Sequence, residues 1–102
     1  MDIMKMMKQV QKLQTDMAKL QEELAGRIYD GASGGGAVKA TVNGKFEVLS
    51  IEISPDAVDP SDVEMLQDLV VAAVNDALRR AREDATAQMS KLTGGMTLPG
   101  LM

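Results

Sequence analysis

The first quarter of the chain carries a heptad pattern of apolar residues. Spacings of three and four alternate along it, which is typical of a helix with one narrow apolar face that pairs with another helix. We expect this helix to end at Gly26. We call the apolar positions the seam and expect them to pack against a partner helix. They are Ile3, Met6, Val10, Leu13, Met17, Leu20 and Leu24.

Three stretches that follow are predicted to be strands. They span residues 27–32, 37–42 and 46–53, and the first two are joined by a glycine-rich segment, Ser33 to Gly36, that we expect to be a flexible link. The dipeptide Asn43-Gly44 favours a two-residue hairpin between the second and third strands. A small three-stranded antiparallel sheet is therefore predicted.

Both faces of the last predicted strand are partly apolar. Leu49, Ile51 and Ile53 alternate on one face, whereas Phe46 and Val48 fall on the other. A sheet face that carries apolar side chains must pack against another apolar surface to be stable. We therefore expect Phe46 and Val48, together with the seam, to contact a second copy of the chain.

A second long helix is predicted after Pro55. Asp59 is a good N-cap residue and Pro60 a good first helical residue. A broad apolar face then continues to about Leu92, and Gly94-Gly95 ends the helix. The fold class is thus α+β, with one domain over residues 1–93 and a flexible tail over residues 94–102.

Composition argues against catalysis. The 102 residues include no cysteine and no histidine, which removes disulfides, the usual zinc ligands and the most common proton-transfer group. Acidic residues near Asp56 and Asp62 lack EF-hand spacing, and we expect no metal, cofactor or small-molecule substrate. No apolar run approaches the length of a membrane span, so a cytoplasmic protein without a membrane partner is expected.

Charge is segregated along the chain, although the net charge is −4. At 100° per residue, four lysines of the first helix fall within about 60° of one another, on the side away from the seam. We call them the lysine stripe: Lys5, Lys8, Lys12 and Lys19. Such a stripe is often only a solvated face. However, cations near a helix N-terminus are unfavourable for the helix dipole, so a phosphate backbone is a reasonable target.

A second set of cations lies late in the second helix, after a stretch of carboxylates. It comprises Arg79, Arg80, Arg82 and Lys91. Cations at this end of a helix favour its dipole, so a structural role and a DNA-binding role are equally reasonable. With Tyr29 and Phe46 as the only aromatic residues, stacking on single-stranded bases is disfavoured and duplex DNA is the expected nucleic acid.

Several short stretches are informative when taken together. They are Met6-Met7-Lys8-Gln9, Gln21-Glu22-Glu23-Leu24, Gly34 to Lys39, Val42-Asn43-Gly44, Asp76-Ala77-Leu78, Lys91 to Gly95 and Leu98-Pro99-Gly100. In this order and spacing they resemble the YbaB/EbfC family of bacterial nucleoid-associated proteins. The resemblance covers nearly the whole chain, although Arg27-Ile28-Tyr29-Asp30 stands where the family has a more acidic and aliphatic segment. It implies a tweezer-like homodimer joined through its sheets, and DNA binding in the nucleoid.

Two function classes follow. The first is a homodimer that binds the phosphate backbone of duplex DNA with little sequence preference and alters its conformation, in gene regulation or DNA protection. The second is a chaperone-like or partner-binding module that resembles prefoldin and grips apolar clients with its helices. An enzyme would need a site built only from carboxylates or lysine, and no spacing in the sequence indicates one.

Overall fold

The computed structural model describes residues 2–94. In chain order these form a long helix, three strands and a second long helix, which confirms the predicted α+β class. The elements are α1 (Ile3–Ala25), β1 (Ile28–Ser33), a 3-10 turn (Gly34–Gly36), β2 (Val38–Asn43), β3 (Val48–Ile53), a second 3-10 turn (Pro55–Ala57) and α2 (Val63–Leu92). Beyond Gly94, the predicted flexible tail lies outside the described residues.

The strands form one antiparallel sheet in the order β1-β2-β3. The buried side chains of β2 face α2, where Val38, Ala40 and Val42 pack against a ladder of small helical residues. The ladder consists of Ala73, Ala77 and Ala81. Gly31 lets β1 approach this ladder closely, because a Cβ there would meet the backbone N of Ala77 and the backbone O of Ala73.

The segment between β1 and β2 has a defined conformation, unlike the flexible link that we expected. Gly34, Gly35 and Gly36 all have positive φ values, of 59°, 67° and 96°, which only glycine adopts readily. The hydroxyl of Ser33 donates a 2.6 Å hydrogen bond to the carbonyl of Leu69 on α2. The glycines therefore provide a tight left-handed turn that is tied to the helix.

The predicted two-residue hairpin is wrong. Residues 44–47 form a four-residue loop, and β3 begins at Val48, so Phe46 lies in the loop with a φ of 63°. The reason is the side chain of Asn43, whose Oδ1 accepts hydrogen bonds from the backbone N of Lys45 and of Glu47 at 2.9 and 3.1 Å. This cap closes a wider loop than the type I′ turn that the dipeptide favours.

A register shift between Thr41 and Val42 also changes the faces of β3. Val42 pairs with Val48, whereas Ala40 pairs with Ile51. Since cross-strand partners share a face, the pairing puts Val48 on the same face as Ile51 rather than on the opposite one. The apolar side chains of β3 therefore point mostly to the α2 side of the sheet.

The start of α2 differs from the prediction by three residues. Asp62 is the N-cap, and its side chain accepts a hydrogen bond from the backbone N of Met65. Asp59 instead accepts from the backbone N and the hydroxyl of Ser61, at 2.9 and 2.6 Å. Both aspartates are suitable N-cap residues, so the sequence alone does not distinguish them. In the structure, Asp59 stabilises the turn before the helix instead.

Candidate nucleic-acid interface

The lysine stripe lies on an exposed face of α1. Lys5, Lys8, Lys12 and Lys19 are all exposed, and the described residues place no carboxylate within salt-bridge distance of any of them. The helix begins at an aspartate cap, because Asp2 accepts hydrogen bonds from the backbone N of Met4 and of Lys5. From Lys5 to Lys19 the stripe extends about 21 Å at 1.5 Å per residue. That length suits contacts along a phosphate backbone.

The first half of α1 projects away from the rest of the molecule. Only its second half meets α2, where Leu20 and Leu24 are buried. The other end of the seam is open to solvent, with exposed fractions of 70% for Ile3, 51% for Met6 and 55% for Val10. Within one chain, α2 therefore covers only one end of the seam, and a partner helix for the other end stays a prediction.

Two of the predicted arginines are held by carboxylates of their own helix. Arg79 contacts Asp76 at 2.6 Å and Glu83 at 3.2 Å, and Arg80 contacts Asp76 at 3.5 Å. Asp76 also accepts a hydrogen bond from the backbone N of Ala32 at 3.0 Å. That bond and the Arg79 guanidinium lower the pKa of the Asp76 carboxyl, while Asp76 and Glu83 raise the pKa of Arg79.

The cations of α2 do not form one surface. Arg79 and Arg82 line a shallow groove on one side of the helix. Arg80 instead lines a cleft beside the outer face of the sheet, near Asp30, Lys39 and Glu52. The predicted arginine cluster is therefore divided between two surfaces, and two of its three charges are already neutralised by neighbouring acids.

Lys91 is the one cation of α2 that the fold brings to the lysine stripe. It lines a groove of about 360 Å³ between the two helices, together with Lys19. The same groove contains Asp16 and Glu23 from α1. Positive potential at this end of the stripe is therefore weaker than around Lys5, Lys8 and Lys12.

A polar cluster between the sheet and α2 was missed by the sequence analysis. Asp84 accepts hydrogen bonds from Arg27 at 2.8 Å, from the Tyr29 hydroxyl at 2.6 Å and from Gln88 at 3.2 Å. The Tyr29 and Arg27 bonds lower the pKa of the Asp84 carboxyl, whereas burial and the bond to Asp84 raise that of Tyr29. The partners are 55 and 57 residues apart, so no local pattern could have indicated the cluster.

Within residues 2–94, no group of three or more acidic side chains is placed to hold a metal ion. Nor does any helix in this part of the chain combine the length and apolar character needed to cross a membrane.

A solved structure shows the same fold, and curated relatives indicate the family. The fold resembles the crystal structure of an uncharacterized protein from Helicobacter pylori, with a TM-score of 0.77 and 22% sequence identity, over 91% of this chain and 98% of that one. A nucleoid-associated protein from Desulforamulus reducens is 61% identical over 97 residues, which cover 95% of this chain and 92% of the relative. One from Pelotomaculum thermopropionicum is 57% identical with the same coverage.

The family model that matches the chain is described as the YbaB/EbfC DNA-binding family, and it matches residues 1–96. This match includes every element from α1 to α2 and each predicted DNA-contact residue. The chain belongs to the YbaB/EbfC DNA-binding family.

Proposed function

We propose that this protein is a nucleoid-associated protein that binds duplex DNA through its phosphate backbone, as a homodimer and with little sequence preference. Family membership and the names of the relatives support DNA as the partner and the bacterial nucleoid, within the cytoplasm, as the location. The observation that carries the proposal is the exposed lysine stripe on the projecting half of α1. No catalytic role is proposed.

The projecting half of α1, which we call the arm, supplies most of the proposed contact with DNA. Lys5, Lys8 and Lys12 are exposed cations on one helical face, and Lys19 with Lys91 extends the surface toward the body of the molecule. Arg82 is a further candidate, whereas Arg79 and Arg80 would have to give up part of their contacts with Asp76. Backbone contacts of this kind carry no direct sequence information, which accounts for the low sequence preference.

The homodimer is supported by the uncovered sheet. Helix α2 packs against β1 and β2 but makes few contacts with β3. Val48, Leu49 and Ile53 are consequently 48%, 51% and 39% exposed, and Phe46 in the adjoining loop is 49% exposed. A second copy that covers this region would place two arms on one particle, and two linked sites bind a polymer far more tightly than one.

The test removes equal charge from the arm and from the sheet with its adjoining loop. The double variant Lys5→Gln/Lys8→Gln is compared with Lys39→Gln/Lys45→Gln, and binding to duplex DNA is measured by fluorescence anisotropy between about 50 and 200 mM salt. We expect the arm variant to bind at least tenfold more weakly at low salt. Its plot of log K against log salt should become less steep by about 0.9 for each phosphate that the variant no longer neutralises. The sheet variant should resemble the wild type.

Equally weakened binding by both variants would contradict a contact on the arm and would indicate a general effect of net charge. An affinity of the wild type that does not change with salt would contradict backbone binding itself.

One observation favours a second function. The projecting half of α1 exposes Met4 and Met7 at 72% and 58%, in addition to the open end of the seam. Flexible methionine side chains suit promiscuous apolar contacts. A chaperone-like or partner-binding module similar to prefoldin would use this surface, and it would suppress aggregation of an unfolded client without binding DNA in the same assay.

A further inference from the structure

The apolar side chains at the open end of the seam continue a surface that is buried elsewhere in the same helix. Leu20 and Leu24 are 9% and 7% exposed where they meet α2, whereas Ile3, Met6 and Val10 are at least half exposed. We call these last three residues the exposed stripe. They lie on the opposite side of α1 from the lysines, so a segment that covers them would leave the lysine stripe open.

Helix α2 runs along α1 toward this surface and ends before reaching it. The two helices are antiparallel, because Asp84 contacts Arg27 just after α1, while Leu92 shares a groove with Asp16 and Leu20 farther back along α1. Helix α2 ends at Leu92, and Gly94 follows with a φ of 63°. Helix α2 therefore ends near Asp16, between the buried part of the seam and the exposed stripe.

Residues 95–102 have the composition and length to cover the stripe. Their sequence is Gly-Met-Thr-Leu-Pro-Gly-Leu-Met, with four large apolar side chains and no charged ones. Eight extended residues span about 26 Å. The helix from Asp16 back to Ile3 is about 20 Å long. An apolar segment of sufficient reach thus begins where the burial of the seam stops.

We propose that residues 95–102 dock on the exposed stripe of their own chain. The segment continues the packing that α2 provides at Leu20 and Leu24, and it shields the projecting half of α1 from apolar contacts with other molecules. Docking stiffens the arm and restricts it to contacts through its lysine face. This proposal does not depend on DNA binding, since it rests on the apolar side of the helix.

The first test uses the absence of cysteine from the chain. Two double variants are made in the full-length protein, Val10→Cys/Thr97→Cys and Gln11→Cys/Thr97→Cys, and disulfide formation is followed in a redox buffer by mass spectrometry. Residue 11 is rotated by about 100° from residue 10 around the helix, away from the exposed stripe. We expect the Val10 pair to form an intrachain disulfide at least fivefold faster than the Gln11 pair.

Isotope-labelled and unlabelled chains are mixed before oxidation. Mass spectrometry then shows whether the segment bound to the exposed stripe comes from the same chain or from a second copy. Disulfides between labelled and unlabelled chains would overturn docking within one chain and would indicate a second copy on the stripe. Equal rates for the two pairs would also overturn the proposal and would support the flexible tail that the sequence predicts.

A second measurement needs no new cysteine. Hydrogen exchange of the amides in residues 6–15 is compared between the full chain and a variant that ends at Gly94. Docking predicts at least threefold faster exchange in the shortened chain, with residues 66–81 unchanged as the internal control. Unchanged exchange in residues 6–15 would contradict docking even if the cysteine variants were poorly folded.

Discussion

Asp84 connects α2 to the start of the sheet through Arg27 and Tyr29, and Gln88 of its own helix is a third partner. Its carboxylate is only 25% exposed, and it accepts hydrogen bonds from Arg27, Tyr29 and Gln88. Hydrogen bonds to a charged acceptor are stronger than those to a neutral one. The segment from Arg27 to Tyr29 therefore helps to fix the start of β1 against the helix.

Because the Tyr29 and Arg27 bonds lower the pKa of Asp84 below its ordinary value of 3.8, the folded protein holds this proton less tightly than the unfolded chain. The stabilisation is fully present above about pH 4 and is lost as the pH falls through the lowered value. We expect Asp84→Asn to lower the free energy of unfolding by about 1 kcal/mol at pH 7. The difference from the wild type should shrink as the pH falls below the ordinary pKa of 3.8 and through the lowered pKa of Asp84.

Urea unfolding followed by circular dichroism at pH 7, 4 and 3 measures this effect. All samples have one protein concentration, because any self-association would change the measured stability. Asp2→Asn is the control, since Asp2 lies at the exposed start of α1, far from the cluster. A difference between Asp84→Asn and the wild type that stays the same at all three pH values would contradict the charged role of Asp84.

At the scale of elements, the sequence predicted which segments form helices and strands, but it predicted less well where they begin. The seam and the broad face of α2 repeat over many residues, so their periodicity identifies α1 and α2 clearly. Boundaries depend on single hydrogen bonds. The side chain of Asn43 caps a four-residue loop, and Asp62 rather than Asp59 caps α2, although both choices satisfy the same local preference.

The packing of β1 on α2 depends on the missing side chain of Gly31. A Cβ at this position would lie 2.8 Å from the Cα of Ala77, and it would also meet the backbone N of Ala77 and the O of Ala73. Backbone atoms cannot move aside as a side-chain end can, so we expect Gly31→Ala to lower the free energy of unfolding by about 1–3 kcal/mol. The melting temperature measured by circular dichroism should fall by about 4–8 °C for each kcal/mol.

Gly26→Ala is the matched control for that substitution. Its added Cβ has the carbonyl oxygen of Glu23 as nearest neighbour, at 3.8 Å, and the φ of Gly26 is −88°, which alanine accepts. We expect a change of no more than about 0.5 kcal/mol. Equal stability of the two variants would mean that β1 and α2 are farther apart than the structure places them.

On the scale of the whole molecule, positive and negative side chains are concentrated at opposite ends of the long axis. The described fold measures 71 × 24 × 16 Å. Three of the four stripe lysines, Lys5, Lys8 and Lys12, lie on the projecting half of α1. Asp56, Asp59 and Asp62 precede or cap α2 at the other end. The lysine stripe could be predicted from sequence because its members share one helix. The division of the arginines could not, because it depends on which side of α2 meets the sheet.

The uncovered strand β3 is the surface at which we expect a second copy of the chain to pack. Few contacts from α2 reach β3, so Val48 is 48% exposed on an edge strand that offers unpaired backbone groups. A carboxylate at this position would be buried without a partner if a second copy covers the strand. We therefore expect Val48→Asp to convert a dimer into a monomer of 10.9 kDa at micromolar concentration.

Ser50→Asp provides the matched charge on the same strand. Ser50 pairs with Thr41 and is exposed, and it belongs to the polar outer face of the sheet rather than to the face of Val48. Light scattering should give the dimer mass for Ser50→Asp and the monomer mass for Val48→Asp, provided that circular dichroism shows both to be folded. Because a monomer carries one arm instead of two, its affinity for long duplex DNA should fall by at least a hundredfold. If both variants kept the dimer mass, the copies would be joined elsewhere, and the open end of the seam would be the next surface to mutate.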